Sequence, residues 1–134
     1  MLNTRLSVAI HILSLVSSDA TLSSEEISGS VNTNPVVIRR ISSDLKKAGI
    51  LTSKVGIRGS SLTRDPSEIT LFDIYTAVHL EKELFSIHNN PNPKCHVGEK
   101  IQDTLNTTFD SVQKAMENEL KSKTLQDVIN HLTE

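Results

Sequence analysis

With 134 residues, 37% of them hydrophobic and 22% charged, the chain has the size and composition of one folded domain rather than of a disordered segment. No stretch approaches the ~20 apolar residues that span a bilayer, so no membrane partner is expected. The lone cysteine, Cys95, excludes an internal disulfide and fits a reducing cytoplasm. The net charge of −2 conceals a split, because residues 1–65 carry eight bases against five acids, while the remainder carries six against eleven. An excess of three positive charges in one half and five negative in the other suggests that the first half faces an anionic partner.

Leu2, Leu6, Ala9, Ile10, Leu13 and Val16 recur at helical spacing and predict a first amphipathic helix. Arg5 and His11 fall inside that pattern and no small-residue cleavage site follows, so a signal peptide is not expected. After the break at Asp19-Ala20, Ser23 or Ser24 caps a short helix through Glu25, Glu26 and Ile27, which Gly29-Ser30 is expected to end. Val31-Asn32-Thr33 then reads as a turn, and Asn34-Pro35 opens a third helix with Val37, Ile38, Ile41 and Leu45 as its apolar stripe. Lys46 and Lys47 suit that helix's negative end, and Gly49 terminates it. Helix, short helix, turn and capped helix in succession is the layout of a helix-turn-helix.

Beyond Gly49 the period shortens. Residues Ile50 to Val55 read as a strand, Gly56-Ile57-Arg58-Gly59 as a turn, and Ser60 to Thr63 as the returning strand, giving the hairpin wing of a winged helix-turn-helix. Asp65-Pro66 breaks the chain, and Thr70-x-x-Asp73 is a capping box for a fourth helix with Leu71, Ile74, Tyr75 and Val78 apolar. The Asn- and Pro-rich run from Ser86 to His96 is a predicted loop. Val97, Ile101, Leu105, Phe109, Val112, Met116 and Leu120 then mark a helix from about Gly98 to Lys121, roughly 36 Å long at 1.5 Å per residue. Thr124-x-x-Asp127 caps a last helix carrying Leu125, Val128, Ile129 and Leu132. The expected fold is mainly α with a small β-hairpin wing. It comprises a winged helix-turn-helix DNA-binding domain over 1–80 and a loop and helical dimerisation region over 81–134.

Arg39 and Arg40 lie on the polar side of the third helix with Asn34, Val36 and Ser43 near them, the residue types that read base edges in the major groove of duplex DNA. Arg58 sits among glycines at the hairpin tip, close to Lys54 and Ser60, and suits a phosphate or the electronegative minor groove. Arg5, Ser23 and Ser24 are candidate phosphate contacts, the two serines at a helix N-terminus. Simple capping explains the two serines equally well. Four aromatic residues, Phe72, Tyr75, Phe85 and Phe109, offer too few stacking platforms for single-stranded nucleic acid. An apolar stripe as long as that after Val97 exceeds what the short elements can cover, which predicts pairing with a second copy or folding back over the chain's own N-terminal half.

Cys95 lies between Lys94 and His96, with His88 nearby, so it is a candidate redox-sensing thiol and equally an ordinary loop cysteine. His88, Cys95 and His96 fall short of a tetrahedral metal set, so no metal or other cofactor is expected. Glycine-rich phosphate loops, catalytic triad motifs and paired cysteines are all missing from the sequence, and the five histidines are scattered, so no enzyme activity is expected.

Three stretches together resemble the Rrf2 family of bacterial regulators: Leu6 to Leu13, Asn34 to Arg40 continuing through Leu45 to Leu51, and above all Leu62-Thr63-Arg64-Asp65-Pro66-Ser67-Glu68-Ile69-Thr70-Leu71-Phe72-Asp73-Ile74-Tyr75-Thr76-Ala77-Val78. The resemblance covers nearly the whole chain. It implies a dimeric winged helix-turn-helix repressor or activator acting on palindromic operators, with dimerisation through the long C-terminal helix. Several members hold an iron–sulfur cluster on three cysteines before that helix, where this chain has Cys95 alone, so it resembles the branch without a cluster. The family's wing usually has a glycine pair followed by an aromatic, where this chain has Gly59-Ser60-Ser61. The sequence thus predicts a regulator, most simply a repressor, whose partners are double-stranded DNA, a second copy of itself and a small-molecule or oxidant effector. The competing reading is a winged-helix module that contacts another protein without binding DNA.

Overall fold

The computed structural model describes residues 4–79 and 85–134. Leu2, the first apolar position of the opening stripe, and the expected domain boundary between 80 and 81 lie outside the described residues. Contacts divide the chain into two units, Met1–Leu80 together with Leu120–Glu134, and Glu81–Glu119.

The first unit contains α1 (Arg5–Ser18), α2 (Ser24–Val31), α3 (Pro35–Lys47), the strands β1 (Leu51–Thr52) and β2 (Ser61–Leu62), a 3-10 turn at Pro66–Glu68, α4 (Leu71–Val78) and α6 (Leu125–Leu132). Helix α1 buries Ala9, Ile12, Leu13 and Val16, one face at 3.6 residues per turn. Those side chains meet Ile27 of α2, Ile38, Ile41 and Leu45 of α3, Ile74 and Val78 of α4, and Leu125 of α6 in a single core. Each such aliphatic side chain, removed from water, stabilises the fold by about 1.5–3 kcal/mol. Arg5 braces the same elements from the edge, its Nε donating to the Val78 carbonyl at 2.7 Å and its Nη2 to Asp44 at 2.6 Å.

Local chemistry sets most boundaries. Thr70 and Asp73 form a reciprocal capping box at α4, and Thr124 and Asp127 do so at α6. Helix α2 departs from expectation. Gly29 and Ser30 do not end it; it continues to Val31 and stops where Asn32 turns left-handed at φ 63°, its N–H donating to the Ser28 carbonyl at 2.8 Å. Glycine inside a helix costs only about 1 kcal/mol, and the contact of Val31 with the core offsets it. The strands are also shorter than the Ile50 to Val55 and Ser60 to Thr63 runs, with antiparallel partners Leu51↔Leu62 and Thr52↔Ser61 alone. Ile50 is buried in the core, whereas Ser53 to Arg58 is exposed and turns rather than pairs.

The C-terminal segment returns to this unit. The Leu71 N–H donates to the Lys123 carbonyl at 2.9 Å and the Leu125 N–H to the Ile69 carbonyl at 2.8 Å, stitching the head of α6 to the head of α4. Lys121 adds its ammonium over the Phe72 ring, 4.7 Å from the centroid. The last helix, which the sequence reading grouped with the dimerisation region, therefore packs on α1 and the 3-10 turn.

The principal element of the second unit is α5, which spans His96–Lys121, all but its last two residues falling in that unit, and begins two residues earlier than its pattern predicts. At 26 residues it is about 39 Å long. None of its residues is buried: Val97 is 64% and Val112 42% exposed, although Phe85 packs on Phe109 with ring centroids 5.1 Å apart.

Candidate nucleic-acid interface

Three elements of the first unit converge on one polar surface. At its base, Ser23 caps α2: the Ser23 hydroxyl accepts from the Glu26 N–H at 3.2 Å, while the Glu26 carboxylate accepts from the Ser23 N–H at 3.2 Å and its hydroxyl at 3.0 Å. Of the two serines the sequence leaves open, Ser23 is the cap. Helix α3 is started by Asn34, whose Oδ1 accepts from the Val36 N–H at 2.8 Å, with Pro35 in the first turn. Burial of Ile38, Ile41 and Leu45 fixes the rotation of α3, so Val36, Arg39, Arg40 and Ser43 point outward. A half-exposed valine beside two arginines is unfavourable against water alone and well suited to thymine methyls and guanine edges.

The wing closes the surface. Its tip turns at Gly56, φ +80°, where the Ile57 N–H donates to the Lys54 carbonyl at 3.1 Å. Gly59, at φ +90°, lies against the Ala20 carbonyl in the α1–α2 turn, so close that any side chain there would collide with backbone. Between α2, α3 and the wing opens a cleft of about 430 Å³ whose polar lining includes Ser23, Ser24, Arg39, Lys54 and Ser60 with Ser43 and Lys46, over an apolar floor that includes Ile12, Val16 and Ile27. The fold thus gathers five of the ten sequence-selected DNA contacts around one cationic groove, with Asn34, Val36 and Arg40 exposed on α3 nearby in sequence.

Across residues 2–131 the chain matches the family described as Rrf2, iron-dependent transcriptional regulator. The protein belongs to the Rrf2 family. It is 63% identical over 132 residues to a Bacillus subtilis (strain 168) protein named as a candidate HTH-type transcriptional regulator, YwnA, covering 98% of this chain and 99% of that one. It is similar to a crystal structure of a candidate DNA-binding protein, at 58% identity and a TM-score of 0.79, over 93% of this chain and 98% of that one. A Lactobacillus plantarum structure described as a candidate transcriptional regulator has the same fold at 25% identity and a TM-score of 0.83, over 98% and 91% of the two chains. Rrf2 proteins are DNA-binding transcriptional regulators rather than enzymes, and the mostly helical fold with its small antiparallel wing is their winged helix. No helix among the described residues is long and apolar enough to cross a membrane.

The iron in the Rrf2 description does not fit the donors of this chain. Cys95 is its one thiol and is exposed, and no group of three or more His, Cys, Asp or Glu side chains among the described residues is placed to hold a metal ion. Cys95 immediately precedes α5, its carbonyl accepting from the Glu99 N–H at 2.9 Å. The N–H groups of Gly98 and then Val97 hold its thiol below the usual cysteine range by favouring the thiolate. Lys94 and His96, the neighbours that sequence alone suggests for this role, are not the cause.

Three sequence-selected cations are engaged within the protein. Arg5 is given over to the brace between α1, α3 and α4 and lies apart from the cleft-lining set. Arg58 is ion-paired with Glu26 of α2, and Arg39 Nη1 with Glu25 at 3.2 Å. Asp19 is held below the usual carboxylate range by the Thr21 hydroxyl, then by the Thr21 N–H, with the positive charge of Arg58 adding to both. Glu25 and Glu26, which the sequence places in the short second helix without assigning them a role, are the residues of this surface that sequence reasoning missed. The arginines 14 residues after Glu25 and 32 after Glu26 could be matched to them only through the fold.

Proposed function

We propose that this Rrf2 protein is a homodimeric repressor that reads a palindromic operator. In this reading α3 enters the major groove with Asn34, Val36, Arg39 and Arg40, while Lys54, Arg58 and Ser60 of the wing reach the adjacent backbone or minor groove and Ser23 and Ser24 face phosphates. The observation that carries it is the cleft, in which residues from α2, α3 and the wing present cations and hydroxyls to one surface. The exposure of Val97 and Val112 on α5 supports the dimer, because pairing with a second copy would cover them. Two α3 helices about 34 Å apart would then meet successive major grooves of one duplex face, and a dimer seated there obstructs transcription without further contacts. Such a protein acts where the DNA is, in the cytoplasm.

The reading is tested by mapping bound DNA across the genome and titrating the purified protein against the recovered sites. Sedimentation should give a dimer, the sites should be inverted repeats with half-sites about ten base pairs apart, and affinity should fall steeply with salt. Arg39→Ala, Arg40→Ala and Arg58→Ala should each weaken binding, and deletion of the gene should raise transcription from the bound promoters. A monomer indifferent to every duplex overturns the proposal in favour of a protein-binding module.

The exposure of Cys95 and its stabilised thiolate favour an oxidant as effector. The thiolate sulfur would attack hydrogen peroxide, the O–O bond would break, and sulfenic acid and water would form after proton uptake. Cys95→Ser should retain DNA affinity and lose the response of that affinity to peroxide; a response unchanged in the variant dismisses the sensor.

A further inference from the structure

We propose that the acids at the head of α2 compete internally with DNA phosphate. They hold Arg58 of the wing, and Arg39 of α3, in ion pairs that must open before either arginine engages a duplex. The inference rests on the DNA reading above and adds to it a gate.

Two arginines from different elements, both selected as DNA contacts, end on adjacent carboxylates: Arg39 on Glu25 and Arg58 on Glu26. Neither carboxylate is placed casually. Both lie in the first turn of α2, where the positive end of the helix attracts negative charge. Glu26 is aimed further by the Ser23 N–H and hydroxyl. Gly59 seats the wing on the α1–α2 turn and thereby holds Arg58 beside Glu26, with the charge of Asp19 also felt there. Among the described residues Arg40, Lys46 and Lys54 form no ion pair, so the surface offers cations for a first encounter and withholds two others.

A carboxylate and a phosphate cannot share one guanidinium edge without repelling each other. Engagement of Arg39 and Arg58 therefore exchanges one anion for another. That exchange opposes all duplexes equally, but only a cognate site returns base contacts to offset it. The acids thus suppress non-specific binding, which is almost wholly electrostatic.

The test measures wild type, Glu26→Gln, Arg58→Ala and the double variant against a fluorescein-labelled duplex of mixed sequence at low salt. Glutamine preserves the capping box, so the helix and its fold are kept. Glu26→Gln should tighten binding about two- to fivefold, the size of one exposed ion pair, and the gain should vanish when Arg58 is absent. No gain, or an equal gain in both backgrounds, overturns the gate, the latter because it reports general repulsion alone. Amide exchange without DNA reads the latch separately. The Ile57 N–H should exchange faster in Glu26→Gln, and unchanged protection overturns the latch while leaving the DNA reading standing. Wild type that binds no duplex sinks the DNA reading and the competition with it.

Discussion

Replacing Gly59 by alanine tests how the wing is held, and Gly56→Ala is its internal control. Both glycines have positive φ, +80° at Gly56 and +90° at Gly59, so each alanine pays a backbone penalty of about 1–2 kcal/mol. They differ in surroundings: a Cβ at Gly56 meets nothing within 4 Å, whereas one at Gly59 runs into the Ala20 carbonyl and the Thr21 Cα. That carbonyl belongs to backbone fixed by Asp19, whose Oδ1 accepts from the Thr21 N–H at 2.9 Å, so it cannot swing aside as a flexible side chain would. Overpacking of this kind costs about 1–3 kcal/mol more. Gly59→Ala should therefore lie about 1–3 kcal/mol below Gly56→Ala in denaturant titration, or about 4–12 °C lower in Tm if each kcal/mol is worth about 4 °C at this chain length. The wing has a cheaper exit, which is to lift from the turn and give up the Arg58–Glu26 pair. In that case the loss in global stability shrinks, while the Ile57 amide loses protection and duplex affinity changes. Equal melting, equal wing protection and equal DNA affinity for the two variants would refute the claim that close approach at Gly59 positions the wing.

Arg5→Ala should destabilise the protein by about 1–3 kcal/mol, because the Val78 carbonyl and the Asp44 carboxylate lose a partner each at a site only about a quarter exposed, and screening by water places the value toward the lower figure. The folded variant should bind DNA like wild type, and a loss of affinity without loss of stability would restore Arg5 as a phosphate contact. Asn34→Ala removes the Oδ1 acceptor of the Val36 N–H and should cost about 1 kcal/mol in chemical denaturation, with Asn34→Asp restoring most of it. For Cys95, backbone N–H groups favour the charged form, so its pKa is lowered and more thiolate is present at any given pH below it. The iodoacetamide reaction rate should therefore reach half its plateau at a lower pH than the ~8.5 of free cysteine, and a midpoint at or above that value would contradict the geometry.

What was legible in the sequence follows local rules. Asn34-Pro35, Thr70 with Asp73, and Thr124 with Asp127 sit within three residues of the groups they satisfy, so spacing alone locates three helix starts. The stripe Ile38, Ile41, Leu45 likewise fixes which side of α3 faces out before any tertiary contact is known. Where the outcome depended on a distant partner, the pattern misled. Gly29-Ser30 looks like an end because glycine is a poor helix former, yet α2 runs on until Asn32 supplies a left-handed cap. Arg5 looks like a surface cation until Asp44 and the Val78 carbonyl, 39 and 73 residues away, claim it. The same holds for α6, whose stripe shows that it is amphipathic but not that Ile69 and Leu71 will stitch it to the first unit.

Charge shows most clearly why counting is weaker than placing. The excess of three positive charges over residues 1–65 suggested a face for DNA, but the cations in that sum are not equivalent. Arg5 and Arg64 are consumed by Asp44 and Asp73 as structural braces, and Arg39 and Arg58 are held by Glu25 and Glu26 at the rim of the groove. On the proposed DNA reading, what would face a duplex is a surface whose acids are adjacent to its arginines because a helix start attracts acids and a helix-turn-helix brings its second helix and wing beside that start. A sequence with the same totals and the charges of Glu25 and Glu26 moved to exposed positions of α5 would have the same net charge and a far stickier groove. Affinity for arbitrary DNA should therefore follow the position of two carboxylates more closely than the net charge of the chain, and Glu26→Gln combined with Gln102→Glu, on the exposed surface of α5, separates the two at constant net charge.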